Sequence, residues 1–164
     1  QLVIEDGSIV TGANSFATDA ELKTYAGIRN VAVPATQPDR EALLVLAMDY
    51  LFNVEVKMKG WRVSEAQALP YPRNNVCLHG YQIASTDIPS SLKSAQMELA
   101  LQANTAEILI TGNNDNLASF NVDGVYSETY FSGGSWSQVR TDKADAYLNA
   151  LLKNNGSNNI MTRV

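Results

Sequence analysis

The chain contains one cysteine, Cys77, and one histidine, His79. A lone cysteine excludes an intramolecular disulfide, and the pair leaves too few ligands for a zinc centre built on cysteine. No apolar run approaches the roughly 18 residues that a membrane span needs. The opening QLVIEDGSIV has no basic stretch followed by an apolar one, so no secretory leader is expected and synthesis in a cytoplasm is. There is no glycine-rich phosphate loop, and Asn113–Asn116 lacks the spaced acids and closing glutamate of a calcium loop. Positive charge is scarce as well. Twelve Lys and Arg stand against 17 Asp and Glu, a net charge of −5. Nucleic-acid binders draw most of their affinity from Lys and Arg set against phosphates, so DNA contact here would need a local patch.

What the chain does have is enough apolar character for a core: 45% of its 164 residues are apolar and 18% charged. That suits one globular domain spanning 1–164. Residues 1–17 read as an extended arm, with Leu2, Val3 and Ile4 as a short strand and Asp6-Gly7 and Thr11-Gly12 as turns. Thr18-Asp19-Ala20-Glu21 has capping-box spacing and predicts a helix with Leu22, Tyr25 and Ala26 on its inner face, reaching Arg29. Thr36-Gln37-Pro38-Asp39 repeats the signal and opens a helix over 38–55. Leu43, Leu46, Ala47, Tyr50, Leu51 and Val54 supply its apolar stripe. Pro89 suits the first turn of a third helix, 88–105, with Leu92, Ala95, Leu99 and Ala103 inward.

Between 117 and 131 the pattern changes to alternation around Asp123-Gly124, which predicts a β-hairpin or ribbon. A last helix follows from about Asp142, with Ala144, Leu148, Leu151 and Leu152 facing in. The Asn-rich tail 154–164 reads as flexible. The expected fold is mainly α: a bundle of about four helices with a β element inserted before the C-terminal one.

Three stretches carry candidate function. Cys77 and His79 stand two apart, but no second histidine assists and no nucleophile motif surrounds them, so packing explains them better than catalysis. No catalytic, metal or cofactor residue is assigned. Lys57, Lys59, Arg62 and Arg73 form a cationic cluster interleaved with Trp61 and Tyr71, the pairing that single-strand sites use. Lys57, Lys59, Trp61 and Arg62 are therefore the candidate DNA-facing residues. In Leu69-Pro70-Tyr71-Pro72-Arg73 each proline pushes the preceding residue to extended backbone and excludes helix. With an aromatic anchor and an arginine, this elbow reads as an element presented to another protein.

Several longer stretches then match a known group. VIEDGS, ANSFAT at Ala13–Thr18, ALLVLAMDYL at Ala42–Leu51, KGWRVSEAQALPYPR at Lys59–Arg73 and IPSSLKSAQMELAL at Ile88–Leu101 are together specific. The chain resembles the small head–tail adaptor, or connector, proteins of tailed bacteriophages, in the group often labelled DnaT-like single-stranded-DNA-binding proteins. Met58 and Tyr71 stand where the group usually has tryptophan, and the match weakens beyond Phe131. The resemblance implies a virion neck protein without enzymatic activity. It would form a homo-oligomeric ring, usually of twelve copies, beneath the portal protein, extend the DNA channel and seat a stopper or tail-terminator protein. Leu69–Arg73 with Tyr130 and Phe131 would contact neighbouring subunits or the next ring, and the tail with Ile160, Met161 and Arg163 would dock on the portal. Twelve copies at −5 each would carry about −60, a field that lets DNA pass without adhering. The label carries the rival expectation, a replication accessory protein that binds single strands.

Overall fold

Two threonines start the first two helices, as their spacing predicts. In the computed structural model, which describes residues 1–105, 120–122, 126–128 and 141–153, the Thr18 hydroxyl accepts from the Glu21 amide at 3.2 Å. The Glu21 carboxylate accepts from the Thr18 amide at 2.6 Å. This closed capping box opens α1, Asp19–Ile28. Thr36 accepts from the Asp39 amide and opens α2, Gln37–Val54, with Pro38 in its first turn. A single 3₁₀ turn, Glu55–Lys57, continues it.

Four two-residue strands follow in two antiparallel pairs: β1 (Trp61–Arg62) with β2 (Arg73–Asn74), and β3 (Cys77–Leu78) with β4 (Tyr81–Gln82). The sequence pattern anticipates neither, because two-residue strands are too short to show alternation. Gly60 is what lets β1 approach β2. It sits at φ +67°, and a Cβ there would lie 2.0 Å from the Asn74 carbonyl oxygen.

Pro89 caps α3, Ser90–Ala103, which is the central helix and packs most extensively on α2 and on α4, Asp142–Leu148. The inserted β element is present as β5 (Phe120–Val122) antiparallel to β6 (Tyr126–Glu128), with Val122 opposite Tyr126. The fold is thus mainly α, four helices with small antiparallel additions. After α4 the chain returns to the end of α2, where the Lys59 amide donates to Leu151 O at 2.9 Å and the Lys153 amide to Lys57 O at 2.7 Å.

The core differs from expectation in two places. Residues 1–17 are not an extended arm. Glu5, Ser15, Phe16 and Ala17 are fully buried, and the Glu5 carboxylate accepts from the amides of Gly7, Ile9 and Val10. In α2 the buried stripe is Leu43, Leu44, Ala47, Met48 and Leu51, while Leu46 is 47% exposed. This helix is apolar on both sides, so periodicity alone cannot pick the inward one.

Gln96, fully buried on α3, joins three parts of the chain. Its Oε1 accepts from the Phe16 and Ala17 amides at 2.9 and 3.1 Å, and its Nε2 donates to Ser15 Oγ at 2.9 Å and Leu44 O at 3.0 Å. Gln96→Leu keeps the side chain's bulk but leaves the buried Phe16 amide without its acceptor, while the Ala17 amide and Ser15 hydroxyl keep only each other. Urea unfolding should register a loss of about 1–3 kcal/mol, the cost of a buried group left unpaired. An unchanged midpoint would show that this amide is not what ties the N-terminal segment down.

Candidate functional site

The stretch with most candidate residues, 55–73, is built around one carboxylate. Pairing of β1 with β2 sets Arg62 directly opposite Arg73, and like charges facing each other across strands destabilise a pair. Glu55, one turn below, resolves this. Arg62 grips it bidentately, Nε to Oε1 at 2.6 Å and Nη2 to Oε2 at 2.7 Å, and Arg73 Nη1 donates to Oε1 at 3.2 Å. The remaining guanidinium donors go to backbone. Arg62 Nη1 donates to Gln67 O at 3.0 Å, Arg73 Nε to Lys59 O at 2.8 Å and Arg73 Nη2 to Gly60 O at 3.0 Å. Lys59 Nζ donates to Ala150 O at 2.7 Å.

The cationic cluster is therefore largely engaged with the protein itself. Three of its four cations are spent on internal partners, because the tight β1–β2 turn carries more carbonyls and like charge than its own backbone can satisfy. Lys57 is exposed, with no ion pair among the described residues, and Trp61 on β1 is 58% exposed.

The elbow is not presented either. Leu69, Tyr71 and Arg73 are only 2%, 0% and 6% exposed, and Pro70 and Pro72 are buried with them. The loop wraps round the Gln67 amide, whose Nε2 donates to Leu69 O at 2.8 Å and Pro72 O at 3.1 Å while Oε1 accepts from Ser64 N. Tyr71 fills the interior, and burial pushes its phenol up to about 12. Its rigidity serves the protein's own core. Tyr130, Phe131, Ile160, Met161 and Arg163 lie outside the described residues.

Cys77 is exposed on β3, which ends at Leu78. His79 and Gly80 both take positive φ, 51° and 88°, in the turn to β4. Strand alternation thus stops before His79 and does not bring the two side chains to one side of a strand. No group of three or more His, Cys, Asp or Glu among the described residues could hold a metal ion. None of the described helices is long and apolar enough to cross a membrane.

A second surface has no counterpart in the sequence reading. The Arg29 guanidinium lies 3.4 Å from the centre of the Tyr25 ring, and its Nη2 donates to the Tyr147 hydroxyl at 3.3 Å. Tyr25 Oη donates to Glu98 Oε2 at 3.1 Å, and Lys143 Nζ stands 3.6 Å from Glu98 Oε1. Burial, with the Tyr147 hydroxyl and the Glu98 carboxylate, raises the Tyr25 phenol well above its ordinary range. Arg29, Glu98, Lys143 and Tyr147 line a groove of about 620 Å³ between the end of α1, α3 and α4, with Val31, Leu101 and Ala146 as its apolar wall. The available hint was Glu98, a carboxylate within the apolar run of α3.

The Glu55 clasp makes a signed prediction. The Arg62 hydrogen bond, opposed by burial and helped by the Arg62 and Arg73 charges, holds the Glu55 carboxyl below its ordinary value. A depressed folded-state pKa contributes stability above the unfolded value, about 4.3, and that contribution disappears as pH falls through the lower folded one. Glu55→Gln should therefore destabilise the protein at pH 7 and flatten the decline in stability below about pH 4.5. Chemical denaturation across pH would measure both; parallel curves for the two proteins would remove Glu55 as the clasp.

No curated protein and no solved structure matches the chain. The family described as "Putative DnaT-like ssDNA binding protein" matches over residues 1–164, and the chain belongs to that family.

Proposed function

We propose that this chain is a structural assembly protein, the adaptor subunit of a bacteriophage neck, and that it works through contacts with proteins more than with DNA. The observation that carries the reading is how its surface is divided. Arg62, Arg73 and Lys59 are turned to internal acceptors, while Ile28, Val45, Leu46, Phe52 and Val56 stand in solvent. Large apolar residues left outside in such numbers fit protein interfaces, and a chain at −5 whose Lys59, Arg62 and Arg73 are engaged internally is poorly equipped to neutralise phosphates. The adaptor role itself rests on the ANSFAT, KGWRVSEAQALPYPR and IPSSLKSAQ matches. On that reading copies form a ring under the portal, line a DNA conduit whose charge repels its cargo, and seat the stopper or tail terminator.

The family's description supports a second reading, single-strand binding, and among the described residues of the 55–73 stretch exposed Trp61 and Lys57 are the pair suited to it. The two readings part on a simple titration. Fluorescence anisotropy with a labelled oligothymidine should give only weak binding at 150 mM salt, falling steeply as salt rises. Tight binding at that salt, lost in Trp61→Ala and Lys57→Glu, would replace the adaptor reading with the accessory one. Cryo-electron microscopy of virions supplies the positive test, with ring density below the portal as the expected result and a neck accounted for by other chains as the contrary one.

A further inference from the structure

The outward side of α2 repeats the spacing of a helix-packing seam. Pro38, Ala42, Val45, Asp49, Phe52 and Val56 are all exposed and follow one another at steps of four and three residues. That alternation is the one by which a helix presents knobs to a partner helix. The opposite side of the same helix is already buried against the core, so the seam is surplus to this fold. A helix apolar all round is one that is covered all round. Its only exposed charges are acidic, Asp39 at the start and Asp49 mid-seam.

The groove between α1 and α4 is the complement. Val31 lines its apolar wall, and Ile28, 78% exposed, lines a neighbouring recess that shares Arg29 with it; the exposed charges lining the groove are the cations Arg29 and Lys143, because Glu98 is buried beneath them. The residues lining this groove and those lining the recesses beside the α2 seam have no member in common. We propose that the outer seam of α2 on one copy docks over the Ile28–Arg29 rim of a second copy, with Asp49 against Arg29 and Lys143. Because donor and acceptor faces differ, the contact is head-to-tail, and each copy keeps one free face for the next. Such contacts propagate, and close into a ring if the rotation between copies allows. The inference gives the adaptor reading its subunit contact, and rests on it for closure only.

Cross-linking in the full chain tests it. In a Cys77→Ser background, Val45→Cys and Ile28→Cys are made singly and together, and the concentrated protein is treated with a short bis-maleimide. The double variant should give a ladder of dimer, trimer and higher species, an equimolar mixture of the two single variants should give dimers, and each single variant alone should stay monomeric. Asp49→Lys should cut the ladder about tenfold. Mixing Asp49→Lys chains with Lys143→Glu chains should restore it, since each reversed face then meets a reversed partner. Dimers from Val45→Cys alone would mean a two-fold contact and overturn the proposal, as would a double variant that stays monomeric. A ladder that never closes, judged by electron microscopy, keeps this contact and removes the ring. Closed rings whose two faces fail to cross-link do the reverse.

Discussion

The fold depends on one amide. Gln96 lies on the most buried helix, and all four of its hydrogen bonds go to other segments, two to the amides that precede α1, one to Ser15 and one to a carbonyl inside α2. A buried amide with every donor and acceptor paired fixes position as well as distance, because no other register satisfies it. Hydrophobic burial brings α2 and α4 onto α3, but it is indifferent to small sliding. Gln96 sets the register of α2 and holds residues 15–17 in the core, which lets Phe16 and Ala17 disappear from solvent. With the entry to α1 pinned there, Arg40 on α2 reaches Asp19 and the carbonyls of Pro34 and Ala35, so the loop joining the two helices is gripped from inside.

Arginine is used in the same way elsewhere. Arg40, Arg62 and Arg73 each combine a carboxylate with backbone carbonyls, the work that a planar five-donor group performs better than lysine. This explains how a chain with only 12 basic residues can carry an apparent cationic cluster whose guanidinium groups are already engaged internally. A cation already paired to Glu55 would have to break that pair before gripping a phosphate. Electrostatics and packing therefore point the same way at these three arginines, which are directed to internal acceptors, while Ile28, Leu46 and Val56 stand outside.

Much of the architecture was legible in the chain itself. The four helices follow from Thr18, Thr36 and Pro89 as start signals and from long apolar periods, and the ribbon before α4 from alternation around Asp123-Gly124. The site was less legible for two physical reasons. Charge read along a sequence does not say where its counter-charge lies, and Glu55 looks like any helix-end acid until β1 and β2 bring Arg62 and Arg73 over it. Arg29 and Tyr147, likewise, meet across 118 residues that no local pattern connects. The elbow failed differently. Two prolines do prescribe a rigid extended segment, but rigidity does not tell which way Tyr71 points, and the interior took it.

The misplaced stripe in α2 is the most informative of these failures. Leu46 was expected inside and lies outside, while Leu44 and Met48 took the core. Had one side of α2 been polar, its period would have fixed the orientation. It did not, because the residues opposite the core, Ala42, Val45, Phe52 and Val56, are also of the kind that avoids water. A chain with net charge −5 and no shortage of polar residues had the means to fill those positions otherwise. The ambiguity in the pattern and the exposed seam are one fact seen twice: a helix that this chain buries on one side only, with apolar residues on the other side as well.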